Sequence, residues 1–272
     1  MTGIFEALEK ASREETEGSA DAPIVAATVG VNDPEAQPLS DDPWEEAARV
    51  RPQSFPPRSA NCLALHLEDA MSGLYHRLMG ELTSPIGKSA QFIGARRRSG
   101  ASVLAREFAK VCALRFGKSV LLLDASATHP SHLGYFGAKA EHGWEECVEG
   151  ATCLGDAVYQ VGETALYISQ MSARKSAAPQ AFEAQGLGTF LKTAKQTFDL
   201  TLVDSPAESI ASDGIALSEA VDGVVLVVEA ERTRRQTARN VVNRIRANGG
   251  HIVGTILNKR RYPIPAFLYN RL

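Results

Sequence analysis

Residues 91–102 read Gln91-Phe92-Ile93-Gly94-Ala95-Arg96-Arg97-Arg98-Ser99-Gly100-Ala101-Ser102. A short apolar run gives way to a glycine and three arginines, then to a second glycine, and a helical pattern over 101–116 follows at once. Strand, tight loop and helix start, in that order, form a phosphate loop. The first turn of a helix carries N–H groups without intrahelical partners, and the helix dipole adds partial positive charge there. Arg96, Arg97 and Arg98 bring guanidinium forks that suit phosphate oxygens. The residues expected to face an anion are therefore Arg96, Arg97, Arg98, Gly100, Ala101 and Ser102.

Outward from this loop, short runs of Val, Leu and Ile alternate with helical patterns. The runs are Ser119 to Leu123, Leu166 to Ile168, Leu200 to Val203, Gly223 to Val228 and Ile252 to Leu257; helices are predicted over 184–197 and 233–248 as well as 101–116. Unbroken apolar strands between helices indicate a sheet buried on both faces, so the predicted fold is a doubly wound, mostly parallel α/β domain. Ligands in such sheets sit beyond the carboxyl ends of the strands. Asp124 and Asp204 follow the runs 119–123 and 200–203, which puts both carboxylates at the edge carrying the loop. With the Ser102 hydroxyl they form a set able to hold Mg²⁺ or its waters. Asn258 ends the last strand on the same edge and is a further candidate for nucleotide contact.

The charge is uneven. Net charge is −3 overall, yet residues 1–60 carry twelve acidic and five basic residues and seven of the thirteen prolines. Too little apolar surface is available there to offset chain entropy, so 1–60 is predicted to be an acidic, mostly disordered leader. Within it, Ile4, Phe5, Leu8 and Ala11 share one face of a short helix over 4–11. The domain is expected to span 61–272 and to open with an amphipathic helix over 62–82, on which Leu67, Met71, Leu74, Leu78 and Leu82 recur at helical spacing. An overall acidic balance argues against nucleic acid as the partner. No apolar stretch is long enough to span a bilayer, and the N-terminus lacks a secretory pattern, so a cytoplasmic location is expected.

The segments LYHRLMGEL (74–82), GKSVLLLDASATHPS (117–131), FDLTLVDSPA (198–207), SDGIALSEAVDGVVLVVEAERT (212–233) and GTILNKRR (254–261) occur in one order over about 190 residues. In that order they resemble the bacterial tyrosine kinases of capsule and exopolysaccharide synthesis, relatives of the MinD and ParA ATPases. The resemblance implies a P-loop NTPase-like fold, ATP or ADP with Mg²⁺ as cofactor, and Asp124 and Asp204 as the carboxylates of an active site. It also implies a lysine at 101 and a second aspartate at 126; this sequence has Ala101 and Ser126. Arg96 occupies the place of a lysine that reaches a partner's phosphates in the MinD and ParA branch. The family's tyrosine-rich tail is reduced to Tyr262 and Tyr269 among prolines and apolar residues.

Together these observations lead to a non-catalytic or weakly nucleotide-binding regulator of exopolysaccharide polymerisation and export. The partner implied is the cytoplasmic segment of an inner-membrane polysaccharide co-polymerase, which would recruit the chain to the membrane, with self-association also implied. The alternatives are an active autokinase or ATPase of the same pathway, and a MinD-like positioning protein. Other patterns carry less. His129 and His132 are spaced HxxH without a cysteine or carboxylate cluster in the sequence around them, which disfavours zinc. GGHIVG (249–254) precedes a strand instead of joining strand to helix, so it is no dinucleotide fingerprint. Cys147 and Cys153 read as buried small apolar groups, and Ser205 and Asp213 have no histidine placed to complete a triad.

Overall fold

A computed structural model describes residues 52–127, 129–172, 185–207 and 213–260. The helix expected over 4–11, most of the leader, Thr128, and the tail with Tyr262 and Tyr269 lie outside the described residues. The elements in chain order are β1 (Gln53–Phe55), α1 (Glu68–Glu81), β2 (Lys88–Gly94), α2 (Ala101–Leu114), β3 (Val120–Asp124), α3 (His132–Phe136), α4 (Trp144–Val148), α5 (Leu154–Ala157), β4 (Tyr159–Val161), β5 (Leu166–Gln170), α6 (Gln185–Thr197), β6 (Leu200–Ser205), α7 (Asp213–Ala216), β7 (Gly223–Glu229), α8 (Arg235–Ala247) and β8 (Ile252–Asn258).

The eight strands form one sheet in the order β1-β4-β5-β3-β6-β2-β7-β8. Every neighbouring pair is parallel except β4 with β5. From β2 the chain first builds to one side, through β3 and β5. It then fills the gap with β6 and builds to the other side through β7 and β8. Winding therefore reverses around β2, and a reversal of this kind leaves a crevice at the strands' carboxyl ends.

Strand alternation sends side chains to two cores. Ala90, Phe92, Val120, Leu122, Leu200 and Leu202 pack under α1 and α2 with Leu104, Phe108 and Val111. Ile93, Leu121, Leu123, Val203, Val224 and Leu226 pack under α6 and α8 with Phe190, Leu191, Val241 and Ile245. All of these are buried, and each of the Val, Leu, Ile and Phe side chains contributes about 1.5–3 kcal/mol of transfer free energy.

Two boundaries differ from the sequence expectation. The sheet takes in residues before Asn61: Gln53–Phe55 pairs in parallel with Tyr159–Val161, and Ser54 Oγ donates to the Gly162 carbonyl. Three residues suffice because the strand only extends an existing edge. The helix expected from 62 starts instead at Glu68, after a 3₁₀ turn at Ala60–Leu63 and an extended Ala64. Glu68 and Asp69 occupy its first turn, where negative charge complements the dipole. Ala64 is held outside the helix because its carbonyl accepts from Lys110 Nζ at 2.7 Å. That lysine is fully buried and also pairs with Glu107 at 2.8 Å.

Candidate functional site

The carboxyl ends of β2, β3 and β6 converge because their registers align: Phe92 lies opposite Asp204, and Asp204 opposite Asp124. Together with the β2–α2 loop they surround a cavity of about 720 Å³, lined by residues of the 94–103 segment and by Asp124, Ser126, His129, Ser131, Asp204 and Lys259. The structure thus brings Arg96, Arg97, Arg98, Gly100, Ala101, Ser102, Asp124 and Asp204 to one place.

The loop is built to approach an anion closely. Ser99 N donates to the Arg96 carbonyl at 3.2 Å, and Arg98 and Gly100 both adopt positive φ, at 62° and 96°. A Cβ on Gly100 would lie 2.2 Å from Asn258 Nδ2. The first bond of α2 runs from Leu104 N to the Gly100 carbonyl, so the amides of Ala101, Ser102 and Val103 have no intrahelical acceptor. Arg96, Arg97 and Arg98 are exposed around this opening, and Arg96 Nη1 donates to the Arg232 carbonyl at 2.8 Å.

Asn258, the further candidate for nucleotide contact, is engaged within the protein. Its Nδ2 donates to the Ser99 carbonyl at 2.8 Å, its Oδ1 accepts from Lys259 N at 2.8 Å, and it is not among the residues lining the cavity. It therefore pins the loop to the end of β8. The next residue does enter the cavity: Lys259 Nζ donates to the Arg98 carbonyl at 2.5 Å and lies 3.4 Å from Glu229 Oε1. A lysine is thus present beside the phosphate loop although Ala101 is not one. Sequence reading missed it, because a lysine after a strand end gives no sign of which loop it will reach.

Asp124 and Asp204 are buried. Asp124 Oδ1 accepts from Ser126 N at 3.1 Å, and its Oδ2 accepts from Ser131 N at 2.7 Å and His132 N at 3.3 Å. The carboxylate thereby caps α3 and fixes where His132 stands. Burial raises the Asp124 carboxyl above the ordinary carboxylate range and the neighbouring Asp204 charge pushes the same way, while His132 and the two serine amides pull against them. His132 Nε2 lies 2.9 Å from Asp204 Oδ2, with both side chains buried. The two histidines of the HxxH pair therefore part company, and the carboxylate cluster missing from the sequence around them is assembled by the fold.

An imidazole stands within the Mg²⁺ set expected from Ser102, Asp124 and Asp204. Asp204 Oδ2 pairs with that imidazole, while Asp124 Oδ1 accepts one main-chain amide and keeps a lone pair for a further ligand. A nitrogen donor in the inner sphere is poorly matched to a hard cation that demands near-octahedral oxygen ligands. The loop does fit a phosphate: its helix start has free amides, and Arg98 and Lys259 flank it.

The remaining candidates stay structural. Cys147 is buried and its thiol is pushed up to about 12 by burial, whereas Cys153 is half-buried and donates to Asp156. Ser205 Oγ accepts from Gln91, without a histidine partner among the contacts shown.

No protein-family model matches the chain. Over 144 residues it is 24% identical to the tyrosine-protein kinase CpsD of Streptococcus agalactiae, covering 53% of this chain and 63% of that protein. Over 168 residues it is 26% identical to the succinoglycan biosynthesis transport protein ExoP of Rhizobium meliloti, covering 59% of this chain and 21% of that protein. The kinase domain of the Escherichia coli tyrosine kinase ETK superposes with a TM-score of 0.66 at 20% identity, over 73% of this chain and 78% of that one. The chain is thus similar, over a little more than half its length, to bacterial tyrosine kinases of the CpsD kind. It spans a little under two thirds of the length of the CpsD proteins it matches. The doubly wound, P-loop NTPase-like sheet expected from the sequence is the fold observed. Among the described residues, no helix is long and apolar enough to cross a membrane.

Proposed function

We propose that the chain is a regulator or adaptor of exopolysaccharide polymerisation and export that binds phosphate groups without transferring them. The observation that carries this reading is the pairing of His132 with Asp204, in a site whose phosphate loop has Ala101 in place of a charged lysine. Phosphoryl transfer relies on cations fixed against the developing charge, each worth several kcal/mol. Here the carboxylate on β6 is committed to an imidazole and the loop amine is absent. What remains is an anion cradle of helix amides, Arg96, Arg97, Arg98 and Lys259. It suits the phosphates of ATP or ADP.

The pathway follows from kinship. Relatives bear the names of capsule-type kinases and of a succinoglycan transport protein, and in the second of these the match occupies about one fifth of a longer protein. On this reading the chain works at the cytoplasmic face of the membrane, bound to the cytoplasmic segment of a polysaccharide co-polymerase. An active autokinase using Asp124 and Asp204 is the competing reading, favoured by Lys259 reaching the cavity from β8.

Calorimetric titration of ADP into the metal-free chain, with and without Mg²⁺, tests the proposal. The expected result is equal affinity in both conditions. A tenfold or greater gain with Mg²⁺ would mean that a working magnesium site survives.

A further inference from the structure

Three donors from separate elements meet at the cavity floor: the carboxylates of Asp124 at the end of β3 and Asp204 on β6, and the imidazole of His132 at the start of α3. One ligand atom from each can be chosen so that all lie within 4.8 Å of one another. All three residues are buried, at 0%, 3% and 0% exposure respectively. Two of their polar atoms, Asp204 Oδ1 and His132 Nδ1, are buried without a hydrogen-bond partner. An orphaned buried carboxylate oxygen is costly unless something occupies the space beside it.

We propose that Asp124, His132 and Asp204 form a binding site for a zinc-class divalent cation, in place of a magnesium site. Imidazole plus carboxylate is a donor set suited to zinc and its transition-metal neighbours and ill suited to Mg²⁺. Ligand atoms about 2.0–2.2 Å from zinc stand roughly 3.3–3.6 Å apart in a tetrahedron, so the His132–Asp204 contact of 2.9 Å would open slightly and the other separations, all within 4.8 Å, would close by about 1 Å at most. Three protein ligands leave a fourth position. Asp124 and Asp204 both line the cavity, so that position faces the phosphate loop and is open to water or to a phosphate oxygen. The cation would supply what the orphaned Asp204 oxygen lacks and would neutralise two buried carboxylates. Its binding does not depend on the regulatory reading, since a chain that transfers phosphate and one that does not can both be assayed for it.

The test is titration of Zn²⁺ into the full metal-free chain in the presence of excess Mg²⁺, with His132→Gln, Asp204→Asn and His142→Gln alongside. One Zn²⁺ per chain should bind despite the Mg²⁺. His132→Gln and Asp204→Asn should each weaken it by about 100-fold or more. His142→Gln, which alters the half-exposed His142–Glu146 pair, should leave it unchanged. Zinc binding unaffected by His132→Gln, or lost with His142→Gln, would overturn the site. Because substitutions at buried positions can cost the fold, the unaltered chain provides a second readout with Co²⁺. Intense visible bands, abolished by Zn²⁺ and not by Mg²⁺, are expected of a low-coordinate site with nitrogen. Weak octahedral-type bands, or displacement by Mg²⁺, would contradict the proposal.

Discussion

His132 Nε2 stands 2.9 Å from Oδ2 of Asp204, although 72 residues separate the two in the chain. The contact exists because Asp124, in register with Asp204 on the neighbouring strand, caps the short helix that begins with His132. One carboxylate positions the imidazole and the other receives it.

The pair of buried acids should make stability depend on pH. The Asp124 carboxyl is raised by burial, so the folded chain holds that proton more tightly than the unfolded chain. The resulting stabilisation is fully present below the unfolded carboxylate value and is lost as pH rises through the raised folded value. In metal-free buffer the urea midpoint should therefore carry a downward slope across that window, and Asp124→Asn should flatten it. A slope unchanged in Asp124→Asn would show that Asp124 is not its source.

Gly100 is held to glycine by both conformation and space. Its φ of 96° and the 2.2 Å approach of a Cβ to Asn258 Nδ2 predict that Gly100→Ala costs about 1–3 kcal/mol and weakens phosphate binding. Adding Asn258→Ala should recover the part due to crowding and leave the part due to backbone strain. Denaturant melts of the single and double variants separate the two. Full recovery would mean that strain contributes nothing.

Lys259 is expected to supply the amine that the loop lacks at 101. Lys259→Ala should lower affinity for ADP about tenfold, the scale of one charge-assisted hydrogen bond. The difference should shrink as salt is raised, because the group is part-exposed and screened. Equal affinities at low salt would remove Lys259 from the site.

Lys110 and Glu107 test the packing account away from the cavity. Their pair is buried on α2 and Lys110 also holds the Ala64 carbonyl. Lys110→Met leaves Glu107 as an uncompensated buried charge and should cost about 3–5 kcal/mol. The double substitution Lys110→Met with Glu107→Gln should be markedly milder, which urea denaturation would show.

The sheet was readable because runs such as Val120 to Leu123 are apolar without a break, as a strand needs when one pair of its side chains faces each of two cores. The loop was readable because glycine and arginine stand between an apolar strand and a helix start. The edge strands Gln53–Phe55 and Tyr159–Val161 were not, since three residues carry no periodicity and their pairing is decided by the neighbours they meet. The same reason hid the partner of His132 and the reach of Lys259: tertiary placement brings one to Asp204 through the cap that Asp124 gives α3, and the other to the cavity through the turn after β8. Sequence spacing correctly put Asp124 and Asp204 on one edge but had no means of showing that amides and an imidazole would engage them.

On the proposed reading the site recognises phosphate without transferring it. Its most direct test is mass spectrometry of the purified chain after incubation with Mg-ATP, beside an Asp204→Asn control. No time-dependent phosphate is expected on any tyrosine, Tyr262 and Tyr269 included. Phosphotyrosine that accumulates in the unaltered chain and vanishes in the control would contradict it.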